Sequence, residues 1–120
     1  MIYTSYFAQL KNLPKDVIPI AICGKPPKWY KGLLYKKLAP KYKFFAEWKK
    51  NQDNEFYKRH FYSEVLGVLQ ADNVVKELFA MAKSEKIALI CYEKPSDFCH
   101  RHLVSEWLNE HGIQCQEYKR

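Results

Sequence analysis

The stretch "KIALICYEKPSDFCHRHLVSEWL", residues 86–108, decides the fold and holds most of the candidate chemistry. Its first part is a continuous apolar run between charged residues, which is typical of a strand covered on both faces. Pro95 ends that strand, and Ser96 or Asp97 is expected to cap a helix. The apolar stripe of this helix comprises Leu103, Val104, Trp107 and Leu108. We therefore predict a central strand, a loop and a helix.

Three further segments are predicted to surround this unit. "IYTSYF" at 2–7 and "VIPIAIC" at 17–23 are rich in the β-branched and aromatic residues that favour strands. "GKPPKWYKG" at 24–32 is expected to be a loop, because a diproline preceded by glycine hardly continues a strand or helix. "IQCQEY" at 113–118 is predicted as an edge strand, with Gly112 ending the helix before it.

Helical patterns fill the middle of the chain. They are predicted over 43–50, from a cap at Asp53 or Asn54 through 69, and from a cap at Asp72 or Asn73 onward. The order of elements predicts a small three-layer α/β domain, Rossmann-like, with a mostly parallel sheet. We expect one domain over residues 1–120, because that length supports one core rather than two.

Composition narrows the class of protein. No stretch reaches the roughly 18 apolar residues of a membrane span, and the first residues lack the basic-then-apolar order of a secretory signal. We therefore expect a cytoplasmic protein without a membrane partner. The four cysteines include no CxxC pair, and reduced thiols are expected.

The charge is strongly basic. A net charge of +7 favours polyanions or phosphorylated small molecules as partners. Nine lysines and one acid lie between Lys25 and Lys50, interleaved with aromatic residues. This pattern suits either a nucleic-acid groove or a solvated lysine face over aromatic core contacts, and the lack of arginine there weakens the first. Exposed aromatics would favour a homo-oligomer.

The strand end and helix start form the candidate site. In parallel sheets, ligands bind beyond the carboxyl ends of the strands, where loops lead into helices. Cys91 and Glu93 share one side of the strand end, and Cys99 falls in the first turn of the helix. Helical geometry turns His100 toward the sheet and His102 toward solvent.

One interpretation of this site is an anion cradle. Arg101 and the free backbone N–H groups of the helix start would hold a phosphate or carboxylate. Ser5 and Tyr6 at the end of the first strand, and Lys25 after the second, would line the same crevice. A small anionic ligand, such as a nucleotide or its derivative, would then be the partner.

A second interpretation makes Cys99 or Cys91 a nucleophile. The helix N-terminus, His100 and Arg101 would favour the thiolate, and Glu93 would carry the proton. The spacing from Cys91 to Arg101 is longer than in the cysteine phosphatases, so their mechanism is not expected. The enzyme of this interpretation would be a hydrolase or transferase.

Two other interpretations stay open. A zinc site would use Cys91, Cys99, His100 and Cys23. Their spacing matches no common zinc module, so we predict neither a metal nor a cofactor. The last interpretation is structural: the cysteines are buried apolar residues, His100 bonds to the backbone, and Arg101 pairs with an acid.

The segment "ALICYEKPSDFCHRHLVSEWL" closely resembles the signature of the family known as Domain of Unknown Function 488, in which Cys-x-Glu ends a strand and Cys-His-Arg begins the next helix. Four further segments are similar to its shorter branch: "IYTSYF", "PIAI", "PPKWYKGLLYKKLAP" and "GIQCQEY". The resemblance implies a small α/β domain and singles out Cys91, Glu93, Cys99, His100 and Arg101. It implies no particular reaction, so whether the protein is an enzyme stays open.

Overall fold

A computed structural model describes residues 1–119 and contains a five-stranded, entirely parallel sheet. The strands are β1 Ile2–Tyr6, β2 Ile18–Ala21, β3 Leu33–Leu34, β4 Ile87–Cys91 and β5 Cys115–Glu117. They lie in the order β3-β2-β4-β1-β5, and every residue of β4 is buried. The predicted α/β class is confirmed. The central position of the strand at 87–91 is also confirmed, because a continuous apolar run suits a strand that is covered on both faces.

In the described part of the chain, four α-helices and three short 3-10 helices connect the strands. The α-helices are α1 Tyr42–Asn51, α2 Asn54–Glu64, α3 Ala71–Ala82 and α4 His100–Glu110, and the 3-10 helices are Phe7–Asn12, Lys36–Leu38 and Leu66–Val68. Asp53, one of the two predicted caps, is the residue that caps α2, since its carboxylate accepts from the amides of Glu55 and Phe56 at 3.1 and 3.3 Å. Across residues 1–119, no helix combines the length and apolar character needed to cross a bilayer.

The two faces of the sheet are covered differently. Ile20, Ile87 and Leu89 belong to the larger core cluster, which contains buried residues of all four α-helices. Ala21, Ala88 and Ile90 alternate with them and pack in a smaller cluster against residues such as Phe7, Val17 and Tyr30. The third layer of the domain is thus a 3-10 helix and a loop rather than an α-helix.

Three predicted helix boundaries are wrong. Helix α2 ends at Glu64, and the chain continues as the 3-10 helix Leu66–Val68. Gly67 lies close to the backbone of Tyr62 there, so that a Cβ on Gly67 would be 2.7 Å from the Tyr62 carbonyl oxygen. Helix α3 begins at Ala71, before the predicted caps. Helix α4 begins only at His100, because Cys99 has extended backbone with φ −154° and ψ 142° and is itself the N-cap residue.

Candidate functional site

A pocket of about 500 Å³ opens beyond the carboxyl ends of β2 and β4. Cys23, Cys91, Cys99 and His100 lie at its base. Its aromatic lining comprises Tyr42, Phe45, Trp48, Tyr57, Tyr92 and Phe98. The chain places strands on both sides of β4, and such strand-end crevices are the usual ligand sites of parallel sheets.

The aromatic wall is a packed unit. The ring centroid of Trp48 lies 5.3 Å from that of Tyr57 and 5.7 Å from that of Phe98. Tyr57 and Phe98 meet edge to face at 4.9 Å. The indole nitrogen of Trp48 donates to the Asn54 side chain at 3.0 Å, which further orients the ring. This packing holds flat apolar surfaces toward the pocket, where they can contact the face of a planar ligand.

His100 lies buried at the base of the pocket with a defined tautomer. Its Nε2 is 2.8 Å from the carbonyl oxygen of Ile22, and because a carbonyl only accepts, Nε2 carries the hydrogen. Its Nδ1 therefore presents a lone pair, 4.0 Å from the Sγ of Cys99. Burial lowers the pKa of His100 to about 4, against the smaller effect of the Ile22 bond, so the ring is neutral at pH 7.

The two cysteines of the signature meet in the structure. Cys91 and Cys99 form a disulfide, with their Cα atoms 7.7 Å apart. The prediction of reduced thiols is wrong for this pair, because the extended backbone of Cys99 returns its side chain to the end of β4. In residues 1–119, Cys23 and Cys115 are the cysteines that remain as thiols, and burial raises the pKa of each.

Arg101 is fully buried, with 0% exposure, and is occupied by protein groups. Its Nε and Nη2 each donate to one carboxylate oxygen of Glu117 at 3.0 Å. Its Nη1 donates to the Glu93 carbonyl at 2.6 Å and to the Cys91 sulfur at 3.3 Å. The guanidinium also lies 5.4 Å from the ring centroid of Tyr6. Four of its five N–H groups are therefore satisfied within the fold.

Three predicted ligand contacts are corrected by this geometry. Arg101, Ser5 and Tyr6 do not line the pocket. Arg101 is unavailable to an anion because Glu117 already pairs with it. Ser5 is fully buried, and its hydroxyl has no hydrogen-bond partner within the described chain. Tyr6 accepts a hydrogen bond from Gln9 at 3.1 Å instead of facing the crevice.

The remaining candidates come together. Cys91, Glu93, Cys99, His100 and Lys25 all line the pocket. His102 was expected to face solvent, but its side chain is half-buried in the structure. This burial lowers the pKa of its ring. Sequence reasoning missed the aromatic wall as part of the site. The signal was the set of aromatic residues between Lys25 and Lys50, which suggested either core contacts or nucleic-acid stacking.

The fold and pocket define a small, entirely parallel α/β protein with a ligand-sized site at the strand ends. The family model described as "Active DUF488-N3 subclade" matches residues 5–112. The chain belongs to the DUF488 family, as the Cys-x-Glu and Cys-His-Arg signature indicated. That description names no reaction. The chain has no match among curated proteins, and none among solved structures.

Proposed function

We propose that this domain binds a small ligand that combines a planar ring with a negatively charged group, of the nucleotide class, in the strand-end pocket. The observation that carries the proposal is the aromatic-walled pocket of about 500 Å³ at the carboxyl edge of a parallel sheet. Ligand sites commonly measure about 300–1,000 Å³ and combine apolar walls with a few polar groups. Binding alone or turnover of the ligand would both use this site.

The ring of the ligand would lie against Trp48 and its neighbours. Stacking of a base on an aromatic side chain is worth about 1–3 kcal/mol and tolerates different bases. Phe45 and Tyr42 continue the same wall from α1. A pocket with this lining favours a planar heterocycle over a flexible chain, because a flat ring buries most surface against flat walls.

The charged group would be held by Lys25 and the start of α4. No side chain of the described residues caps the first turn of that 11-residue helix. The amide of His102 already donates to the Cys99 carbonyl at 3.1 Å, so the amides of His100 and Arg101 are the ones proposed for the ligand. Lys25 lines the pocket, and Glu93 is the one acid among the lining residues. Arg101 has no part in this proposal. A cytoplasmic location, where phosphorylated metabolites are abundant, is part of the proposal.

Nucleotide titrations followed by tryptophan fluorescence and thermal shift test this proposal. Trp48→Leu should weaken binding about tenfold or more, from the loss of stacking. Trp29→Leu is the matched control, because Trp29 is 61% exposed and outside the pocket lining. Lys25→Ala should weaken the binding of nucleotides more than the binding of the corresponding nucleosides. Lys31→Ala should change the affinities for nucleotides and nucleosides equally.

Two results would overturn the proposal. One is the absence of any shift with all nucleotides tested, using folded protein. The other is equal loss of affinity in Trp48→Leu and Trp29→Leu.

A single-stranded oligonucleotide should be titrated in the same series of experiments. Tight oligonucleotide binding that falls steeply with salt and is indifferent to Trp48 would replace a pocket ligand with a nucleic-acid surface.

A second candidate is a cysteine-dependent hydrolase or transferase, which one contact favours. The Nδ1 atom of His100 lies 4.0 Å from the Sγ atom of Cys99, so the imidazole is placed where a general base would accept the proton of the thiol. This chemistry requires the reduced form, because neither sulfur of a disulfide is a thiolate. After reduction, iodoacetamide at neutral pH should modify Cys99 faster than Cys115. Equal or slower reaction at Cys99 would remove this candidate.

A further inference from the structure

Three potential metal ligands converge at the base of the pocket. The sulfur atoms of Cys91 and Cys99 and a ring nitrogen of His100 all lie within 4.8 Å of one another, and all three residues are buried. Two thiolates and one imidazole are a donor set that suits zinc. We propose that, when the two cysteines are reduced, these three residues bind a thiophilic divalent cation, with Zn²⁺ as the expected ion.

His100 is held as zinc-bound histidines usually are. A histidine that binds a metal through one nitrogen generally donates its other N–H to a carboxylate or carbonyl, which fixes the ring. The Nε2–H of His100 donates to the Ile22 carbonyl at 2.8 Å, so Nδ1 is the nitrogen left facing the cysteines. Chain spacing predicted no metal here, because the positions of Cys91, Cys99 and His100 match no common zinc module; the contact of His100 with Ile22, 78 residues away, is visible only in the folded chain.

The surroundings of the sulfur atoms favour their deprotonated forms. Arg101 donates to the Cys91 sulfur at 3.3 Å, and Cys99 is the N-cap residue of α4. A cationic donor and a helix N-terminus both stabilise a thiolate. Cys23 lines the same pocket but does not belong to the three-residue cluster. Three protein ligands leave a coordination position for water or another molecule, as in catalytic zinc sites.

The disulfide and the metal are alternative states of the same two sulfur atoms. A phosphine reductant breaks the S–S bond by giving up two electrons and becomes a phosphine oxide with oxygen from water. The two sulfurs take up two protons as thiols, and metal binding releases those protons. This site does not depend on the proposed nucleotide-class ligand, because the ion alone is the probe.

Cobalt titration of the full chain tests the site. Under anaerobic conditions with a phosphine reductant, Co²⁺ should bind with about one equivalent per chain and give sulfur-to-cobalt charge-transfer and tetrahedral d–d absorption. Zn²⁺ should displace it. Cys91→Ser, Cys99→Ser and His100→Gln should each weaken cobalt binding by at least about tenfold. Cys115→Ser is the matched control and should leave the spectrum intact, because Cys115 lies outside the pocket lining.

A second readout uses the metal content of the purified protein. Native mass spectrometry of reduced protein from zinc-supplemented cells should show one bound zinc in the wild type and none in Cys99→Ser. Circular dichroism establishes that each variant is folded. The proposal is overturned if folded, reduced wild-type protein shows neither cobalt absorption nor zinc. It is also overturned if the Cys91, Cys99 and His100 variants bind cobalt as tightly as the Cys115→Ser control does.

Discussion

The end of β4 separates two regions that differ in how their polar groups are satisfied. On the side of β1 and β5, which we call the ion-pair side, Arg101 and Glu117 are joined by two hydrogen bonds of 3.0 Å. On the side of β2, which we call the pocket side, His100 keeps an unshared lone pair beside Cys99. His100 and Arg101 are adjacent in sequence, yet they belong to different sides.

This difference separates a region that stabilises the fold from a region whose polar groups can bind a ligand. A buried guanidinium must be paired, because an unpaired charge in the interior is very costly. Glu117, the Glu93 carbonyl and the Cys91 sulfur meet that need, so the charge of Arg101 is already paired within the fold and is not offered to a ligand. A neutral imidazole can be buried with one nitrogen unshared at far lower cost. The pocket side can therefore keep groups available for binding.

Breaking the ion-pair side should have the largest effect on stability. Arg101→Met leaves the mostly buried Glu117 carboxylate without its partner, and we expect a loss of about 3–5 kcal/mol in the free energy of unfolding. Urea denaturation measures it. Lys37→Met, which breaks the exposed pair with Glu77, should cost less than about 1 kcal/mol. Equal costs for the two variants would contradict a structural role for Arg101.

The pocket side should tolerate a comparable change better. His100→Phe keeps a ring but leaves the buried Ile22 carbonyl without its donor, which should cost about 1–3 kcal/mol. The measurement is urea denaturation of metal-free protein in the same redox state as the wild type. His111→Phe is the control, because the Trp107 carbonyl that the His111 ring contacts also accepts from the His111 backbone amide at 3.2 Å and so keeps a donor. A larger loss for His100→Phe than for Arg101→Met would reverse the comparison.

Two neighbouring hydroxyl groups of β1 give the smallest and sharpest test. Ser5 buries a hydroxyl that has no partner among residues 1–119, so Ser5→Ala should raise stability by up to about 1 kcal/mol. Thr4 donates to Glu117 at 2.7 Å, so Thr4→Val should lower stability by about 1 kcal/mol. Thermal unfolding of both variants checks the signs. Destabilisation by Ser5→Ala would mean that its hydroxyl is satisfied after all.

Local sequence pattern was sufficient wherever one element decides its own structure. The apolar run at 87–91 predicted the central strand, and the cap of α2 is Asp53, one of the two residues predicted for it. Gly112 follows the last turn of α4 with φ +77°, as a terminating glycine should. Strand β3 escaped prediction because two residues carry no measurable alternation.

The site could be predicted only in part. The strand-end rule and the family resemblance together selected Cys91, Glu93, Cys99 and His100, which do line one pocket. Arg101 was predicted to contact a ligand because its actual partner, Glu117, lies 16 residues further along the chain on β5. That pairing depends on β5 docking beside β1, where Thr4 lies opposite Glu117.

By itself, the sequence determined the alternation of strands and helices, the buried middle strand and the family, because these depend on contacts between near neighbours in the chain. Tertiary structure alone decided which side of β4 each polar group serves. It joined Cys91 to Cys99, His100 to Ile22 and Arg101 to Glu117. The physical reason is that a buried polar group takes its role from whichever partner satisfies it, and long-range packing chooses that partner.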